Sequence, residues 1–167
     1  MKKFIPIVLG LIVAHLADTA SAQQNDALNA DAGRVLRLQL SPYTRHSTYD
    51  SKHSDVVMVG LEREYPDAKL DGITLFTNSF GQPSVYLYPW GRVYHSIGGL
   101  KGLSFKWTAG LMYGYKEPYE DKVPLNYKGF SPVLIPALAY EFMPGWSGQI
   151  DILGTAGLMF QLNVTLN

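Results

Sequence analysis

The 167-residue chain has no cysteine, no net charge and, past its first 22 residues, no long apolar run. Without cysteine there is no disulfide framework, no thiolate zinc site and no Cys/His nucleophile. Fourteen basic side chains against fourteen acidic ones leave no basic stripe to neutralise phosphate, which argues against nucleic acid as a partner. Without a second apolar stretch of about 20 residues, no helix spans a bilayer, so the chain is soluble, peripheral or a barrel. What is abundant is glycine (16), proline (10) and tyrosine (11). The first two are poor in helix interiors and the third suits a pleated surface, so the composition leans towards β.

The beginning of the chain reads as a leader. Lys2 and Lys3 precede an apolar run over residues 4–16, and Ala20-Ser21-Ala22 supplies the small residues of a signal-peptidase site. Residues 1–22 are therefore expected to be a cleaved signal peptide and residues 23–33 a short N-terminal segment without amphipathic periodicity. Residues 34–167 are left as one domain.

Period-two alternation recurs eight times in that domain, over residues 36–41, 56–64, 70–77, 84–94, 103–114, 131–142, 149–153 and 158–166. In the fourth segment Ser84, Tyr86, Tyr88, Trp90 and Tyr94 are expected to share a face. In the fifth, Leu103, Phe105, Trp107, Ala109 and Leu111 oppose Ser104, Lys106, Thr108, Gly110 and Met112, a small or polar set suited to a filled lumen. Eight strands suit an all-β, antiparallel up-and-down barrel, either transmembrane or a soluble lipocalin-like cup. Alternation does not say which face points out. Short connections on one side, longer ones on the other and Tyr and Trp near strand ends favour the outer membrane of a Gram-negative cell.

Up-and-down topology sorts the connections. Those near residues 42–55, 78–83, 116–130 and 154–157 share the outer rim, while the turns at Pro66, Gly98 and Pro144 share the other. The first outer loop holds His46, Tyr49, Asp50 and His53, and Asn78-Ser79 emerges beside it. An imidazole near a hydroxyl is what acyl transfer needs: His takes a proton as general base, and a carboxylate or amide holds its tautomer. The same residues also read as solvated loop side chains. His46 and His53 lack a third ligand in a recognisable motif, so no metal is expected. Pro132 and Pro136, four apart in the sixth segment, each remove a ladder donor. Either the wall opens sideways towards lipid there, or Pro132 begins the strand and Pro136 marks a bulge.

Together, His46 with Tyr49-Asp50, the strand end Phe76-Thr77-Asn78-Ser79-Phe80 and the late strand Pro132-Val133-Leu134-Ile135-Pro136 resemble PagP-type lipid A palmitoyltransferases. The resemblance implies an eight-stranded outer-membrane barrel that moves a palmitoyl chain from a phospholipid to lipid A, holding it in an apolar lumen. It implies His46 as the catalytic imidazole and Ser79 as the hydroxyl. The family has Asp-Ser where this chain has Asn78-Ser79, so the carboxylate role passes to the Asn78 amide or to Asp50, and His53 stands as a competing imidazole. Gly110 and Gly114 are expected to leave the acyl chain room. Lipid A and phospholipid are then the partners, with no cofactor and a monomeric barrel. The alternatives are a non-enzymatic structural or solute-interacting barrel, and a lipid A deacylase or phospholipase.

Overall fold

Alternating side chains build the described residues, 33–47 and 53–166 of a computed structural model, into eight strands. These are β1 (Val35–His46), β2 (Met58–Glu64), β3 (Leu70–Thr77), β4 (Pro83–His95), β5 (Leu103–Tyr113), β6 (Phe130–Met143), β7 (Trp146–Ile152) and β8 (Gly157–Thr165). Each pairs antiparallel with the next, and β8 closes on β1, giving a barrel without a sheet edge. The signal peptide, nearly all of the 23–33 segment and Asp50 lie outside the described residues. Among the described residues, no helix is long and apolar enough to cross a membrane.

The apolar face points out. Val59, Leu61, Ile73, Leu75, Leu87, Leu111, Leu134, Leu138 and Ile150 are exposed around the barrel, whereas Gln39, Glu62, Thr74, Lys106, Gln149, Asp151, Gln161 and Asn163 are buried in the lumen. Tyr43 and Phe160 flank the loop-rich rim on the outside; Tyr94, Tyr140, Phe142 and Trp146 flank the short-turn rim. This answers which face points out, the point that alternation left open.

Two prolines change the parity of their strands. In β1 the register shifts between Leu40 and Tyr43, across Pro42, so that Gln39 and Ser41 face inward and then Thr44 and His46 do. In β4 it shifts between Leu87 and Trp90, across Pro89. Ser84, Tyr86 and Tyr88 are buried inside, but Trp90 and Tyr94 are exposed, which corrects the expectation that all five share a face. Each proline lacks a ladder donor, and the extra residue of a bulge accommodates that loss.

Strand bounds differ from the expectation chiefly at β1, which continues to His46 instead of ending near residue 41, and at β7, which begins at Trp146 directly after the turn. Gly110 and Gly114 do not widen the lumen. A Cβ on Gly110 would run into the Leu87 carbonyl oxygen and one on Gly114 into Ser84, so both are small because neighbouring strands approach closely.

Candidate active site at the loop-rich mouth

The lumen is divided into an apolar upper half and a polar lower half. Above, Val56, Met58 and Met159 form a buried cluster against which Phe76 and Leu153 pack. Below, side chains from six strands make a continuous network. The Lys106 ammonium donates to Glu62 and, at 2.9 Å, to Gln149 Oε1. Gln149 donates to Asp151 at 2.6 Å and accepts from Asn163 at 2.9 Å, and Gln161 donates to Asp151. On the other wall the Tyr88 hydroxyl donates to Gln39 at 3.2 Å, and Gln39 donates to Glu62 at 3.4 Å. Lys106 and Glu62 are tolerated here because they are paired, and Asp151 because two amides donate to it.

Above this network lies a cavity of about 370 Å³ whose walls include Met58, Phe76, Met112 and Met159 and whose mouth includes His46, Asn78 and Ser79. From Met112 to Lys106 it follows roughly 20 Å of strand, at about 3.3 Å per residue. An apolar slot closed by charges at its lower end and open at a hydroxyl and an imidazole accepts an extended hydrocarbon chain carrying a polar head.

His46 is not in a loop, as the sequence implied, but is the last residue of β1. The Pro42 bulge turns it inward while its neighbour Arg45, exposed, points away beyond the apolar band. Its ring lies 4.2 Å from that of His53, which in turn meets Phe80 edge-on at 5.4 Å. Phe80 stacks on Tyr119 at 4.1 Å. Burial, and then the neighbouring His53, hold the His46 imidazole below its ordinary value, so it stays neutral and able to accept a proton.

Asn78 is fully buried, and its amide is occupied in its own turn. Its oxygen accepts from the Phe80 and Gln82 backbone N–H groups, both at 3.0 Å. Its nitrogen donates to Gln82 Oε1 at 3.2 Å and to the Gly114 carbonyl at 3.3 Å. Asn78 thereby fixes the loop that carries Ser79, whose own carbonyl accepts from Ser54 N–H at 2.7 Å and ties the first outer loop to the second. His46 and Ser79 share the cavity mouth without a hydrogen bond between them. The structure thus brings His46, Asn78, Ser79 and His53 to one rim; Asp50 is outside the described residues.

The wall beside the cavity is incomplete in two places. The β6–β7 ladder stops at Ala137 opposite Asp151, so Ser131–Pro136 pair with β5 alone. The β5 ladder passes through Pro132 and Pro136 without a shift, so neither starts the strand or marks a bulge there, and their missing N–H groups fall on the gap side. Likewise β1 pairs with β2 only up to Ser41 opposite Met58, leaving Pro42 to His46 bonded to β8 alone. Pro42 was missed in the sequence; a proline inside an alternating stretch is the signal that would have found it. No protein-family model and no curated protein matches the chain.

Proposed function

We propose that the protein is an outer-membrane acyltransferase that moves a fatty acyl chain, palmitoyl by the resemblance, from a phospholipid to lipid A. The observation that carries this reading is the apolar cavity with His46 and Ser79 at its mouth, next to two gaps in the barrel wall. The outward apolar band with aromatic residues near both rims supports membrane insertion with the loop-rich rim outermost. The gaps, one bordered by Pro132 and Pro136 and the other by Pro42, give lipid a sideways route to the cavity that an intact ladder would block.

In this mechanism the donor's acyl chain lies in the cavity and its ester carbonyl reaches the rim. His46 takes the proton from a lipid A hydroxyl as that oxygen attacks the carbonyl carbon; the proton then passes to the departing lysophospholipid alkoxide. The Ser79 hydroxyl donates to the carbonyl oxygen as it gains negative charge. Asn78 positions Ser79, and the carboxylate role that orients the imidazole is given to Asp50 by the resemblance alone. No metal or organic cofactor takes part.

Mass spectrometry of lipid A from cells expressing the wild type, His46→Ala and Ser79→Ala tests this. A gain of one acyl chain, abolished in both variants, is expected. Loss of a chain indicates a deacylase, and no change in any strain indicates a non-enzymatic barrel. Slower or faster migration of the unheated protein on a denaturing gel tests the membrane barrel itself.

A further inference from the structure

The opposite mouth of the barrel carries a second constellation. His95 ends β4 and Ser104 lies directly across from it near the start of β5, so the hairpin holds both on the inner face. His95 Nδ1 is 3.1 Å from the Ser104 hydroxyl, and His95 Nε2 is 2.7 Å from Glu64 Oε1 at the end of β2. An ionised carboxylate only accepts, so Nε2 carries the hydrogen and Nδ1 is left as the acceptor for the Ser104 hydroxyl. Arg37 Nη1 donates to the other Glu64 oxygen at 2.7 Å, which keeps Glu64 ionised and turns Oε1 towards the ring. All four residues line a cavity of about 150 Å³, separate from the apolar one above, and Lys106 also reaches it.

We propose that Ser104, His95 and Glu64 form a second, hydrolytic site that cleaves short-chain carboxylic esters from the short-turn side of the barrel. Hydroxyl, imidazole and carboxylate stand in the order that nucleophilic acyl chemistry requires, which is recognised by geometry and not by chain position. A structural plug needs its polar groups satisfied, but it does not need the hydroxyl to face a bare imidazole nitrogen beside an open cavity.

The step balances with water alone. The Ser104 oxygen bonds to the ester carbonyl carbon while its proton goes to His95 Nδ1. His95 returns that proton to the alkoxide as the ester C–O bond breaks, leaving an acyl-serine and an alcohol. Water then attacks the acyl-serine, giving its proton to His95 and releasing the carboxylic acid, and Ser104 recovers its hydrogen. The small cavity, with Arg37, Glu64 and Lys106 in its walls, restricts the acyl group to a short one.

The test is a fluorophosphonate probe applied to the folded full-length barrel in detergent micelles, with the adduct located by tryptic mass spectrometry. An adduct on Ser104 of the wild type is expected, a result that needs no variant to fold. Adduct formation, and hydrolysis of p-nitrophenyl acetate by roughly 100-fold or more, should be lost in Ser104→Ala and His95→Asn and persist in Ser79→Ala and His46→Ala. Glu64→Gln, which removes the negative charge facing Nε2–H, should also slow the label. No adduct, an adduct on another residue, or ester hydrolysis equal in wild type and a correctly folded Ser104→Ala overturns the proposal. The lipid A assay reads the other mouth, so either site can fail without the other.

Discussion

Replacing Lys106 by methionine tests the polar half of the lumen most directly. Methionine keeps most of the apolar stem, so the change removes charge and hydrogen bonds and little packing. The side chains of Lys106 and Glu62 are 6% and 1% exposed, so the variant leaves a carboxylate buried without its nearest cation. Breaking such a pair from one side costs about 3–5 kcal/mol. Arg37 Nη1 remains 3.9 Å from Glu62 Oε1 and Gln39 still donates to Oε2, which places the loss near the lower end, about 3 kcal/mol. Gln149 keeps Asn163 as a donor, so the damage does not spread far along β7. The assay is urea unfolding of the barrel in detergent or lipid vesicles, followed by fluorescence of its tryptophans. Adding Glu62→Gln to Lys106→Met should restore at least about 2 kcal/mol, because the uncompensated charge is then gone. A single variant within about 1 kcal/mol of wild type, or a second change that deepens the loss, would refute the reasoning.

Further expectations concern the rim. Asn78→Asp, which matches the acidic residue of the resembling family, should lower lipid A acylation at least tenfold and lower the unfolding temperature. A carboxylate there faces Gln82 Oε1 and the Gly114 carbonyl, both of which now receive hydrogen bonds from the amide. Increased activity would show instead that the residue polarises the reaction. Acylation rate should rise with pH through the His46 titration, with a midpoint below the ordinary imidazole value of about 6.5. His53→Asn removes one of the two causes, so the midpoint should move up and the rate at pH 5 fall relative to that at pH 8; an unmoved profile would separate the two rings. Gly110→Ala should destabilise the barrel by about 1–3 kcal/mol in the same urea assay through collision with the Leu87 carbonyl, whereas an unaffected stability would mean that β4 and β5 yield easily.

Strand existence was legible because burial on one face of a barrel forces alternation, and β3 matches its expected residues 70–77 throughout. Legibility failed where alternation breaks. The Pro42 and Pro89 bulges shift parity without changing composition, so His46 was taken for a loop residue and Trp90 for a residue on the same face as Tyr86 and Tyr88. The rim location of Asn78 and Ser79 followed from topology, but not the saturation of the Asn78 amide, which depends on Gly114 far along the chain. Glu62 and Lys106 each stood on the polar face of its segment; that they meet across the lumen follows only from closure. Ser104, His95 and Glu64 come from three strands and share no local spacing.

The proline bulges have a consequence for how such a barrel changes over generations. Both lumen-facing imidazoles, His46 and His95, lie just beyond one of these extra residues. Losing the extra codon at either place removes the bulge and leaves every later side chain of that strand on its present partner and face, whereas straightening the strand with all its residues kept would exchange His46 with Arg45 or His95 with Tyr94. The bulge thus absorbs one added residue while the imidazole beyond it keeps its place at the mouth. In a closed barrel of this kind, a strand can change its count of residues and keep its chemistry, provided a bulge takes up the difference.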